Sequence, residues 1–487
     1  MTDVIPVPAW LALAGTVLVL WALMDRFLVP SARWFVRRRV NRIVADLNRE
    51  LQFRIPSFKL TERRVLIDRL VYDPAVMEAL SERADNANVP RDVLRTDVER
   101  YAREIVPSFN AYAYFRVGSY LARRIARILY RLRLGRADNE GLSRIERDAS
   151  VVFVMNHRSN MDYVIVAYMA ASRTALSYAV GEWAYVWPLR TLIQSLGAYF
   201  VRRDSRNPLY RRILARYVQM ATQAGVVQAV YPEGRLSRDG RLQAFRLGLI
   251  SYMVDAFDPA SERDLVFVPV GINYDRVLED RSLLRTLDPD ATPRGRLFAV
   301  ATVAKALGRN LRLMARRRWY RLGYACINFG TPISMRRYAR QREVDFRKLE
   351  PDAHRNAVEQ LGRALRSAVA ATIPVLPVSV VATVFVRNER QLLSKLEVKA
   401  RAQALIEDLE SRGAFVHVPR ADRDYAVDVG LRMLVLRRFI VDSEGLYGLA
   451  PGQDAILSYY ANSIAHFVSN GADAVARSGD DPVPQPD

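Results

Sequence analysis

The chain has 487 residues, half of them hydrophobic, which excludes a disordered chain and allows two or three domains with a substantial core. Its net charge of +21 and sequence pI of about 10.2 point to an anionic partner: a membrane surface, nucleic acid or acidic substrates. Cys326 is the only cysteine, so an intrachain disulfide and a Cys-based metal cluster are excluded.

Ile5 to Met24 carries no charge and is apolar apart from Thr16. Twenty helical residues span about 30 Å, the thickness of a bilayer core. Trp10 and Trp21 suit the two interfaces, and Arg26, Arg33, Arg37, Arg38, Arg39 and Arg42 follow. This pattern predicts one retained transmembrane helix in the cell membrane, with the bulk of the chain in the cytoplasm. The arginines would meet anionic headgroups. The anchor is placed at 1–30 and a basic, helical, membrane-proximal region at 31–140. Within it, prolines 56, 74, 90 and 107 break the helices. From Phe109 to Leu134 the pattern predicts one long basic amphipathic helix, fit either to lie on a membrane or to pack with its arginines outward.

An α/β domain is expected over 141–340. Strands are predicted at Val151–Met155, Ala175–Val180, Val226–Tyr231, Leu265–Tyr274 and Tyr324–Phe329, with a helix over 208–224 and a basic helix over 294–318. The first strand ends in a polar turn, Asn156-His-Arg-Ser-Asn160, and a new apolar pattern starts at Met161-Asp162. Strand, turn and helix would let the Asp162 carboxylate accept one ring N–H of His157. The other nitrogen would then be free as a base. Taken alone, the spacing also fits a strand-end histidine that hydrogen-bonds locally. Three arginine-bearing loops at later strand ends add weight: Arg202 with Arg203, Arg235 with Arg238, and Asp275 with Arg276. Arginine grips phosphate as a bidentate fork, and ligands bind where α/β strands end. Glu233 reads as an organiser of its loop, ionised and paired with the arginines beside it.

Beyond 340 a helical domain is expected to about 470, with the apolar run 373–386 buried because it is too short to span a bilayer. Residues 471–487 read as a disordered tail.

Together these stretches resemble the glycerolipid acyltransferases that act on glycerol-3-phosphate. The resemblance rests on His157-Arg-Ser-Asn-Met-Asp162, Gly197-Ala-Tyr-Phe-Val-Arg-Arg203, Tyr231-Pro-Glu-Gly-Arg-Leu-Ser-Arg238 and Val268-Pro-Val270. Tyr274-Asp-Arg-Val277, Asn328-Phe-Gly-Thr-Pro-Ile333 and Leu457-Ser-Tyr-Tyr-Ala-Asn462 with His466 are similar to features of the glycerol-3-phosphate or dihydroxyacetone phosphate branch. It covers roughly 140 to 470. The resemblance implies a sheet flanked by helices and a 1-O-acyltransferase, with lysophosphatidate or dihydroxyacetone phosphate as alternative acceptors. It implies His157 and Asp162 as catalytic. It implies Arg202, Arg203, Glu233, Gly234, Arg235, Ser237 and Arg238 around the substrate, with no metal or resident cofactor. The co-substrate would be an acyl-CoA or acyl carrier protein thioester. Leu236 stands where the family usually has arginine, which leaves the role of Arg235 open. A membrane-tethered nucleic-acid binder is suggested by charge alone; the arginines cluster by the anchor and at strand ends rather than on a groove-matching face.

Overall fold

The computed structural model describes residues 56–111, 113–170, 174–181, 189–202, 205–287, 308, 322–388 and 391–468. The expected anchor at 5–24, its arginines to Arg42, the basic helix 294–318 apart from residue 308, and the tail from 471 lie outside the described residues. Among the described residues no helix is long and apolar enough to cross a membrane.

A mixed sheet forms the centre. Its strands are β1 (Arg131–Ala137), β2 (Ser150–Met155), β3 (Ser177–Val180), β4 (Tyr199–Phe200), β5 (Gln228–Val230), β6 (Leu265–Tyr274), β7 (Tyr324–Phe329) and β8 (Ile333–Ser334). They lie in the order β1-β7-β6-β2-β5-β3-β4, with β8 also paired to β6. Strands β2 to β6 run parallel along this order, β7 is antiparallel to β6, and β1 is parallel to β7. β2 and β6 are buried at every position, which is why they read as continuous apolar runs rather than alternating ones.

The prolines act as expected. Pro74 opens the helix Pro74–Ala87, and Pro90 caps the helix Arg91–Ile105. These helices and Pro208–Gln223 cover one face of the sheet around Leu70, Val98, Ile213 and Phe267. The other face packs on the carboxy-terminal region, with Met155, Val270, Val380, Leu434 and Tyr460 in one apolar cluster. There the helix Pro377–Arg387, from the run expected to be buried, has every residue from Pro377 to Phe385 out of solvent.

Two expectations need correction. The stretch 109–134 is not one helix. A π-turn at Ala113–Gly118 leads into the helix Ser119–Leu129, and Arg131 onward joins the main sheet as β1. The cause is a change of period: Arg131-Leu-Arg-Leu134 alternates every second residue, as a strand does. The carboxy-terminal region is also not purely helical. It carries a three-stranded sheet of β9 (Leu393–Ser394), β10 (Ile440–Ser443) and β11 (Leu446–Leu449).

Candidate active site

β2 delivers a turn to the end of the sheet where the parallel strands finish. Asn156 fixes its start. The amide donates to the Ile272 carbonyl at 2.9 Å and accepts the Ile272 N–H at 2.8 Å, tying β2 to β6 beyond their last backbone pair. The helix Met161–Ala170 begins directly after it. The Ser159 hydroxyl accepts the Met161 N–H, and the Ser159 carbonyl accepts that of Asp162.

His157 Nδ1 lies 2.9 Å from Asp162 Oδ2, and both side chains are buried. With the carboxylate accepting from Nδ1–H, Nε2 carries the free lone pair. That nitrogen is buried and has no hydrogen-bond partner. Tyr231 stacks on the imidazole at 4.2 Å, and Tyr163 meets it edge-on at 5.3 Å. The ring therefore cannot swing away from Asp162 without losing two aromatic contacts.

The backbone donors of the turn are all spent inside the protein. His157 N–H goes to Glu233 at 2.7 Å, and those of Arg158 and Ser159 go to Asp162 Oδ2 at 2.7 and 3.1 Å. The Asn160 N–H reaches Glu279 at 3.3 Å. These amides hold carboxylates, so none is left to receive an oxyanion. In the same turn, Nε and Nη2 of Arg158 are buried without partners. The Arg158 guanidinium lies 4.9 Å over the Tyr459 ring, and its Nη1 donates to the Gly240 carbonyl.

The loop after β5 approaches from the side. Glu233 accepts from His157 N at 2.7 Å and from Gln243 N at 2.8 Å, so one carboxylate joins the histidine turn to both ends of its own loop. Burial pushes its pKa up to about 8, against the pull of those two N–H donors and of the Arg158 charge. Its partners are thus backbone amides, not the loop arginines that the sequence suggested. Gly234 turns the loop at φ +71°, a conformation open to glycine. Ser237 is buried, its N–H on the His157 carbonyl and its hydroxyl on the Arg241 carbonyl. Arg235 and Arg238 are exposed. Arg202 is taken up elsewhere: Glu104 holds it bidentately at 2.8 and 2.6 Å, between Tyr101 and Tyr210. Arg203 lies outside the described residues. Asp275 is also structural; its oxygens accept the N–H groups of Tyr324 and Val378.

A family model described as Acyltransferase matches residues 136–273, and one described as Glycerol-3-phosphate acyltransferase C-terminal region matches residues 309–475. In both regions the chain is therefore similar to glycerol-3-phosphate acyltransferases. It is 25% identical to a glycerol-3-phosphate acyltransferase of Pseudomonas fluorescens over 88% of this chain and 51% of that one. With that of Ectopseudomonas mendocina it shares 26% over 88% and 52%, and with that of Actinobacillus succinogenes 24% over 94% and 57%. The chain therefore spans about half the length of these curated relatives. A crystal structure of the 1-acyl-sn-glycerophosphate (LPA) acyltransferase of Thermotoga maritima aligns at a TM-score of 0.30 and 14% identity, over 63% of this chain and 97% of that one.

Four contributors to the candidate site escape sequence reasoning. Tyr274 donates its hydroxyl to Asp162 Oδ1, and Glu279 accepts the Ser159 hydroxyl at 2.7 Å. Gln243 and Arg158 complete the set. Arg158 carried a usable signal, since it sits between the two motif residues; the others come from distant strands and loops.

Proposed function

We propose that the protein transfers an acyl group from an acyl thioester to the primary hydroxyl of glycerol-3-phosphate, giving lysophosphatidate. The observation that carries this reading is the buried His157–Asp162 pair with an unpartnered Nε2. The curated relatives, named for the same acceptor, support it. Asp162 holds Nδ1–H, so Nε2 takes the proton of the acceptor hydroxyl. The oxygen attacks the thioester carbonyl, the C–S bond breaks, and the departing sulfur recovers the proton from Nε2–H. No covalent intermediate on the protein is required: among the described residues no serine hydroxyl or cysteine thiol is hydrogen-bonded to His157 Nε2.

Arg158 and Arg238 are the proposed hold on the acceptor phosphate, joined by Arg203 and, from its exposed position, Arg235. Arg202 drops out of this set because Glu104 already matches its charge and its fork. Glu233, Gly234 and Ser237 shape the loop that presents Arg238. The run Ile5–Met24 is proposed as a single anchor in the cell membrane, with the catalytic domain cytoplasmic and the basic surface against anionic lipids.

The test is side-by-side kinetics on glycerol-3-phosphate, lysophosphatidate and dihydroxyacetone phosphate at matched donor. His157→Ala should abolish transfer in a folded protein. Efficient use of lysophosphatidate without use of glycerol-3-phosphate overturns the assignment.

A further inference from the structure

A second basic site opens on the same end of the sheet. Strands β1 and β7 begin where β2 and β6 finish, because β7 is antiparallel to β6 and Tyr274 pairs with Ala325. At that edge lies a cleft of about 580 Å³, into which Arg127, Arg131, Arg133 and Arg420 converge. Among the described residues no carboxylate comes within ion-pair distance of any of the four. Asp275, the acidic group beneath Arg131, spends its oxygens on the Tyr324 and Val378 N–H groups.

Aromatic rings hold these guanidinium groups in place without neutralising them. Arg131 and Arg133 share the Tyr324 ring at 5.7 and 5.8 Å, Arg420 lies 4.3 Å over Tyr425, and Arg127 lies 5.8 Å over Tyr168. His417 faces Tyr324 at 4.8 Å, and its buried Nε2 has no partner. Arg420 and Ala421 both adopt positive φ, 62° and 54°, so the tip carrying Arg420 is held in a costly backbone conformation. Four like charges gathered at an opening repel one another unless an anion joins them.

The cleft also stands beside the catalytic pair. Tyr168 lies on the helix that Asp162 opens, six residues on, about 9 Å along its axis. Tyr130, on the cleft wall, packs at 5.2 Å on Tyr274, whose hydroxyl holds Asp162.

We infer that this cleft binds the nucleotide end of a coenzyme A thioester, so that the donor's flexible arm runs from the arginines to His157. The inference rests on the acyl-transfer reading above, which makes a thioester the donor. The chemistry fits a nucleotide better than a bare phosphate or a lipid headgroup. A diphosphate with a ribose phosphomonoester brings roughly four negative charges to four arginines. The guanidinium planes, held on the tyrosine rings, offer stacking to a purine, which a headgroup does not use.

The test is equilibrium binding of adenosine 3′,5′-bisphosphate to the full chain in detergent, with inorganic phosphate and anionic phosphatidylglycerol vesicles as parallel probes. Arg133→Gln and Arg420→Gln are exposed changes that leave the core intact. Each should weaken bisphosphate binding roughly 10- to 150-fold, the loss of one charge-assisted contact. Vesicle binding should not move. In acyl transfer from acyl-CoA, both changes should raise the donor KM and leave the KM for glycerol-3-phosphate unaltered. Bisphosphate binding indifferent to both changes overturns the cleft assignment, as does loss of vesicle binding alone or transfer only from a carrier-protein thioester. Bisphosphate binding that depends on these arginines, in a protein unable to acylate glycerol-3-phosphate, supports the cleft and sinks the acyl-transfer reading instead.

Discussion

Asp162 does more than orient a histidine. Its Oδ2 takes the imidazole N–H and two backbone N–H groups, and its Oδ1 takes the Tyr274 hydroxyl. A carboxylate can accept from all four; an amide cannot, because its NH2 would face donors. Asp162→Asn is therefore expected to reduce kcat by roughly 10²- to 10⁴-fold and to lower the melting temperature as well. Retained kcat in a folded Asp162→Asn protein would falsify the proposed base. Tyr274→Phe removes one donor and leaves the pair intact, so a loss of about 1–3 kcal/mol in unfolding free energy is expected, read by denaturant titration. Arg238→Ala should raise the glycerol-3-phosphate KM roughly 10- to 150-fold with little change in donor KM. The His–Asp pair was legible in the sequence because both members lie within one strand–turn–helix unit. Tyr274 was not, being 112 residues away from Asp162, nor was the capture of Arg202 by Glu104, 98 residues earlier. Spacing along the chain carries local geometry only; a partner from another strand is fixed by the pairing of the sheet.

At the scale of elements, β6 and β7 were readable to the residue because buried strands leave long apolar, β-branched runs. β4, β8 and β9 have two residues each, too few to leave a period, and they form only because neighbours supply their hydrogen bonds. The loop Glu233–Gly240 owes its shape to a contact that no pattern announces. Gly240 sits at φ +87° with the Tyr459 carbonyl against its α-carbon, and a methyl group there would run into that backbone. Arg158 and Asn462 anchor the same junction through the Gly240 and Asp239 carbonyls. Gly240→Ala combines an unfavourable backbone conformation with a clash against a helix that cannot retreat. The expected cost is about 2–4 kcal/mol, one part from each cause, with loss of activity because Arg158 and Arg238 lose their setting. Thermal unfolding and kinetics on the same preparation check both. If Gly240→Ala left stability and activity unchanged, the helix Asp454–Ala461 would not be seated on the arginine loop.

Across the whole molecule, the carboxy-terminal region completes the α/β domain and is not a separate body beside it. Asp280, just after β6, is buried and bound by Arg437 and Tyr460 from that region. Arg437→Ala leaves the buried carboxylate without its cation, held only by the Tyr460 hydroxyl and the Arg281 N–H, an expected cost of about 3–5 kcal/mol, and the protein should still melt in one transition. Its pH dependence is set from both regions. Glu233 is raised from 4.5 to about 8 by burial, so between those values the folded chain holds more protons than the unfolded one. That contribution is full below pH 4.5 and is lost as pH rises towards 8. His466 behaves in the opposite sense. Burial lowers it from 6.5 to about 4, helped by the charges of Arg366 and Arg158, while its Nε2 bonds to the Ala370 carbonyl at 2.9 Å. Here the unfolded chain binds the extra proton, so this contribution is full above pH 6.5 and is lost as pH falls towards 4. Its size is on the order of 2 kcal/mol, after discounting for the partly exposed ring. Between pH 4.5 and 6.5 the two slopes oppose each other and cancel, so from these two groups unfolding free energy should be level there and fall below 4.5 and above 6.5. His466→Gln keeps an amide donor for the Ala370 carbonyl but does not titrate, so it should remove the fall below pH 4.5 and leave the Glu233 loss uncompensated from 4.5 to 6.5. Unfolding free energies of the two proteins from pH 4 to 8 provide the comparison. An acid limb as steep in His466→Gln as in the unaltered chain would assign it to other groups.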